Sequence, residues 1–140
     1  MYQNLLLGTD NSDGARRATD HAIALADRLG ATLHIVSVAE EGPFSAEKRD
    51  EMRTDLEGEA ADAIEEAARA AREADLEVTT TVLEGVAQEE IVAFATENPV
   101  DMIVIGTSGR SGLDHLVLGS VAEEVVRNAP IPVVTVRVEA

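Results

Sequence analysis

The stretch Met102-Ile103-Val104-Ile105-Gly106-Thr107-Ser108-Gly109-Arg110-Ser111-Gly112-Leu113-Asp114-His115-Leu116-Val117-Leu118-Gly119-Ser120 decides how the chain is read. It opens on an unbroken apolar run rich in β-branched side chains, the mark of a strand buried on both faces. It closes where a helical pattern begins, predicted over residues 120–128. Between the two lie glycines and hydroxyl residues, so the unit reads as strand, glycine-rich loop and helix. The same alternation of short apolar runs with longer helical patterns extends over the rest of the chain. That is the signature of parallel strands joined by crossover helices.

Working outward, we predict five strands, at about residues 3–9, 32–38, 76–83, 101–106 and 131–138, and four helices, at about 12–29, 46–74, 87–98 and 120–128. The first helix carries an apolar stripe of Ala18, Ala22, Leu25 and Leu29 and is stopped by Gly30. The second places Met52, Leu56, Ala60, Ala63 and Ala67 on one face and charge on the other, where the charges read as solvated surface. Strand one, with Leu5-Leu6-Leu7, reads as buried on both sides like strand four. Strand three alternates Leu76, Val78, Thr80 and Val82 with Glu77, Thr79 and Thr81, which suits a sheet edge. Pro130 and Pro132 beside the last strand suit the other edge. With right-handed crossovers the economical order is 3-2-1-4-5, with helices on both faces of a five-stranded parallel sheet. The order reverses between strands one and four. Ligands of open parallel sheets bind at the carboxyl ends of the strands flanking such a reversal, which here means the loops after Leu7 and after Ile105.

Composition narrows the function. A chain of 140 residues, 45% of them hydrophobic, suits one domain, expected over 1–140. No run approaches the roughly 18 apolar residues of a membrane span, and no basic leader precedes Leu5, so a cytoplasmic protein is expected. The absence of cysteine excludes disulfides and thiolate chemistry, and His21, His34 and His115 lack ligand-like spacing. His34 reads as a packed or half-exposed strand residue, His21 as surface and His115 as a loop anchor. The net charge of −16, with Lys48 the single lysine, fits a surface adapted to high salt. It argues against nucleic acid and against anionic membranes, both of which need a basic face. The paired acids Glu65-Glu66 and Glu89-Glu90 fall on helices and read as solvated faces.

The loop itself is a plausible phosphate cradle. Glycines let backbone N–H groups turn to a ligand, the following helix offers free donors at its N-terminus, and Arg110 could add a charge-assisted bond. Two plain alternatives stand beside that reading. Ser120 with Glu123 spells an S-x-x-E capping box, which accounts for Ser120 without a ligand, and Asp10 beside Asn11 and Ser12 is a good turn former. The loop is neither a Walker loop, since no lysine follows its glycines, nor a G-x-G-x-x-G loop after the first strand.

The chain resembles the universal stress protein family, whose ATP-binding members carry G-x2-G-x9-G-[ST] between the fourth strand and the last helix. Gly106, Gly109, Gly119 and Ser120 match that spacing without a gap. Leu7-Gly8-Thr9-Asp10-Asn11-Ser12 looks like the family's first loop, residues 33–38 like its second strand and Pro132-Val133-Val134 like its final strand, so the resemblance covers essentially the whole chain. Gly8 stands where many relatives have proline, and Asn11 replaces a frequent glycine. The resemblance implies a Rossmann-like fold of the adenine nucleotide alpha hydrolase type. It implies that Thr9 and Val38 line adenine, that Asp10 lies near the ribose or a phosphate-bound Mg²⁺ or Mn²⁺, and that Gly106 sits by the ribose. Gly109, Gly119, Ser120 and the amide of Val121 would hold phosphates. A homodimer is expected for a separate reason: the last strand, from Ile131 to Val138, leaves an apolar β-branched edge with which a second copy could pair, and the family often pairs through this strand.

The first expectation is therefore an ATP-binding stress-response or signalling module with little or no turnover, because the loop offers no poised general base. A slow ATPase or nucleotide-transferring enzyme on the same scaffold is the alternative, although residues 7–13 lack the His-rich or Ser-Gly-Gly motif of such enzymes. A response regulator fits the strand order but needs more acids after strand one and a lysine after a late strand. A ligand-free structural dimer is the remaining reading, and it requires a closed loop.

Overall fold

The computed structural model describes residues 2–10, 12–40, 46–107 and 119–137, with the side chains of all but 40 and 46–57. In chain order the elements are β1 (Asn4–Gly8), α1 (Asp13–Leu29), β2 (Thr32–Glu40), α2 (Ala46–Glu73), β3 (Val78–Gly85), α3 (Ala87–Glu97), β4 (Met102–Gly106), α4 (Ser120–Asn128) and β5 (Val133–Val136). The strands form one parallel sheet in the order β3-β2-β1-β4-β5.

The sheet is covered on both faces because successive strand side chains point to opposite sides. Leu5 and Leu7 join a cluster with Ala18, Ala22 and Ala26 of α1 and with Ile64, Ala68 and Ala71 of α2. Leu6 joins the opposite cluster, with Ile91 and Ala95 of α3 and Ala122 and Val125 of α4. All three leucines are fully buried, each worth on the order of 2 kcal/mol of transfer free energy. The face of α1 on the sheet is made of alanines, which brings the helix backbone close to the strands. At its start the Ser12 Oγ accepts the Ala15 N–H at 3.2 Å, and at its end Gly30 adopts φ +64° while the Ala31 N–H closes on the Ala26 carbonyl at 2.9 Å.

Several sequence expectations shift. The stripe of α1 runs through Ala26, and Leu29, the last residue of the helix, is 43% exposed. Met52 and Leu56 lie outside the residues whose side chains are described. β3 starts two residues later than predicted, since the Leu76 N–H still bonds the Ala71 carbonyl of the α2 terminus through a turn with Asp75 at φ +61°. β5 is shorter than 131–138: Pro132 only lends its carbonyl to the Ile103 N–H at 3.0 Å, and Val138 lies outside the described residues. The capping box is not formed, because the N-cap of α4 is Gly119 and Ser120 is the first helical residue. Glu123 instead accepts from Arg127 at 2.9 Å one turn on.

Candidate functional site

The reversal of strand order between β1 and β4 opens a crevice at their carboxyl ends. Beyond β1 the Thr9 N–H bonds the Val36 carbonyl at 3.0 Å, holding the chain against β2 for one more residue. Asp10 then turns it, its Oδ1 accepting the Ser12 N–H at 3.0 Å, and Ser12 caps α1. On the β4 side the Thr107 N–H bonds the Val136 carbonyl at 2.9 Å, and the Gly119 N–H bonds the Thr107 carbonyl. Residues 107 and 119, which bracket the glycine-rich stretch, are thus tied to each other and to β5.

These segments surround a cavity of about 380 Å³, a volume typical of small-molecule sites. Thr9 and Asp10 line it from β1, Val38 from β2, and Gly106, Gly119, Ser120 and Val121 from the β4 side. Seven positions singled out in the sequence therefore meet in one place. Gly109 and Arg110 lie outside the described residues. α1, α3 and α4 all present their N-terminal turns to the cavity, through Ser12, Ala87 and Ser120. Free N–H groups and the positive ends of helix dipoles suit an anion. Neither Val86 nor Gly119, the N-caps of α3 and α4, makes a side-chain cap bond. Since the capping box is not formed, the plain explanation of Ser120 fails. Asp10, by contrast, does make the turn expected of it, which is compatible with either role.

The charges are of the other sign. Among the described lining residues the charged side chains are Asp10 and Glu59, both acids. Among the described residues no three His, Asp or Glu side chains are grouped to hold a metal. Gly106 has a second reason to be glycine: a Cβ there would stand 2.7 Å from the Gly14 carbonyl oxygen and 2.8 Å from its carbon.

The sequence reading missed Ser37, Glu59, Ala87 and Ile91, which also line the cavity. Ala87 and Ile91 begin the helix after β3, and every helix following a parallel strand starts at the carboxyl edge, so that signal was present. Glu59 had none, because it sits on the densely charged α2 and only the rotation of that helix aims it inward.

The universal stress protein family model matches residues 1–137. Universal stress protein MJ0531 of Methanocaldococcus jannaschii is 37% identical over 98% of this chain and 83% of its own. UspA of Lactobacillus plantarum superposes with a TM-score of 0.85 at 27% identity, over 97% of this chain and 98% of its own. A universal stress protein solved with cAMP gives 0.77 at 27% identity, covering 99% of each chain. One from Archaeoglobus fulgidus solved with dAMP gives 0.73 at 25% identity, over 97% and 98%. No helix among the described residues is long and apolar enough to cross a membrane. Sequence, strand order and site geometry thus agree that the chain belongs to the universal stress protein family.

Proposed function

We propose that the protein binds ATP, with Mg²⁺ or Mn²⁺, in the crevice between β1 and β4, and acts in the cytoplasm as a nucleotide-dependent stress-response or signalling module with little or no turnover. The observation that carries this reading is the meeting of Thr9, Asp10, Val38, Gly106, Gly119, Ser120 and Val121 around one cavity faced by three helix N-termini. The cAMP and dAMP complexes of related proteins support an adenine nucleotide as the ligand class. Thr9 and Val38 line adenine, Gly106 lies by the ribose, and Gly109, Arg110, Gly119, Ser120 and the Val121 amide hold phosphates. Asp10 takes the metal, chiefly through the phosphates. Titration calorimetry with ATP and Mg²⁺, in salt that keeps this acidic protein folded, should show saturable binding that is lost in a folded Gly109→Val/Gly119→Val variant. No saturable binding by the parent would sink the reading.

The functional unit we propose is a homodimer through the C-terminal strand, residues 131–138. The ladder decides how to test it. Pro132 and Val136 give their carbonyls to β4, so the even-numbered residues of β5 face inward and proline at Val134 or Val136 would injure the sheet itself. Val133 and Thr135 face the open edge. Thr135→Pro should yield a folded monomer by light scattering, and a variant that remains dimeric would move the interface elsewhere.

A further inference from the structure

At the end of the sheet opposite the crevice, three polar side chains from adjacent strands form a chain of hydrogen bonds. The Thr79 hydroxyl of β3 lies 2.6 Å from His34 Nδ1 of β2, and His34 Nε2 lies 2.9 Å from Asn4 Oδ1 of β1. The register sets them side by side, with His34 opposite Thr79 and, across β1, opposite Leu6. All three point to the α3/α4 side of the sheet, as do Leu6, Val36 and Leu83 on the same strands. Thr79 is exposed and His34 half-buried, so the hydroxyl is open to a reagent while the imidazole is held in the sheet.

The bonding fixes the proton. Asn4 Oδ1 can only accept, so His34 Nε2 carries the hydrogen and Nδ1 is the free base receiving the Thr79 O–H. Burial lowers the imidazole pKa and favours the neutral, basic form. The main chain at Asn4 is in turn held, because the Gln3 and Asn4 backbone N–H groups both donate to Asp101 Oδ2, at 2.8 and 2.9 Å. A hydroxyl on a base, with the base oriented by a third group, is the arrangement of an activated nucleophile.

The edge position supplies what acyl transfer also needs. The Leu33 N–H bonds the Glu77 carbonyl, so the odd-numbered residues of β3 bond β2 and the even-numbered ones point outward. Among the described residues no other strand pairs with β3, which leaves the Thr80 N–H facing solvent beside the Thr79 side chain. The amide following a nucleophile is a common oxyanion donor.

We propose that Thr79, His34 and Asn4 form an acyl-acceptor site at which the Thr79 hydroxyl is esterified by small activated esters. Thr79 Oγ bonds the acyl carbon, the ester C–O bond to the leaving group breaks, and the hydroxyl proton passes to His34 Nδ1 and from there to the departing oxygen. The Thr80 N–H meets the oxyanion of the tetrahedral intermediate. Thr79 is the nucleophile, His34 the base, and Asn4 a positioning residue that acts through His34. The site is separate from the nucleotide crevice and does not depend on it.

The probe is p-nitrophenyl acetate, read by nitrophenolate release and by peptide mass spectrometry. The parent should take up about one acetyl group per chain on Thr79. Thr79→Val should abolish that label and Thr79→Ser keep it. His34→Gln should slow labelling about 100-fold, the usual contribution of a general base. Asn4→Asp, which preserves an acceptor for Nε2–H, should label like the parent, whereas Asn4→Leu should not. A network that only ties strands together would alter the melting temperature of these variants without ordering their labelling rates in this way. Labelling confined to Lys48 or the amino terminus, or an unchanged rate in a folded His34→Gln protein, would overturn the proposal.

Discussion

Gly106→Ala is expected to destabilise the protein by about 2–3 kcal/mol, the upper part of the usual cost of overpacking. The added Cβ would lie 2.7 Å from the Gly14 carbonyl oxygen, 2.8 Å from its carbon and 3.3 Å from the Ala15 nitrogen. All three are backbone atoms of the first turn of α1, so no side-chain rotation relieves the contact and the helix itself must move. The entropy that alanine removes from the unfolded chain returns less than about 1 kcal/mol. The requirement is one of space and not of torsion, since the described glycines with positive φ are Gly30 and Gly85. Gly8→Ala is the matched control: its Cβ meets only the Ile91 side chain, at 3.3 Å from Cδ1 and 3.9 Å from Cγ1, and the nearer atom is the flexible end of that side chain. Urea denaturation of the two variants should separate them clearly. Equal midpoints would mean that α1 does not rest on β4 as closely as the structure has it. Because the displaced turn also carries Ser12 and follows Asp10, nucleotide affinity should fall in Gly106→Ala as well.

Ser120→Asp should separate stability from ligand binding in opposite directions. Ser120 is the first residue of α4, where a carboxylate meets the positive end of the helix dipole and should stabilise the protein by about 0.3–1 kcal/mol. The same position lines the cavity beside Gly119 and Val121. A negative charge about 4 Å from a phosphate opposes binding by up to about 4 kcal/mol at a protein surface, and less with salt. A loss of affinity for ATP on the order of 100-fold is expected with an unchanged or raised melting temperature. Ser120→Asn, of similar size and uncharged, should bind within a few-fold of the parent on the same reasoning about charge. If the aspartate variant binds ATP like the parent, the phosphates do not lie at the start of α4.

Much of this could be read from the chain itself. Leu5-Leu6-Leu7 and Met102-Ile103-Val104-Ile105 show as doubly buried strands because no polar position interrupts them, and the strand order followed from putting at the edges the strand with a polar face and the strand with prolines beside it. Ser120 was read too simply. Its S-x-x-E spacing is a local pattern, and the helix starts one residue earlier than that pattern assumes, with Gly119 as cap. Glu59 gives no such signal, since the rotation of the alanine-rich α2 is barely encoded when small residues lie around much of its circumference.

By itself, the sequence determined the class of fold, the strand order and the two loops that flank the reversal, because hydrophobic periodicity and chain connectivity are local and leave few topologies open. Only the tertiary structure decided which side chains meet. The contact of Gly106 with the first turn of α1, the inward aim of Glu59 and the Thr79–His34–Asn4 chain each join residues far apart in sequence. Their proximity depends on helix rotation and strand register, and those are fixed by packing against the whole sheet.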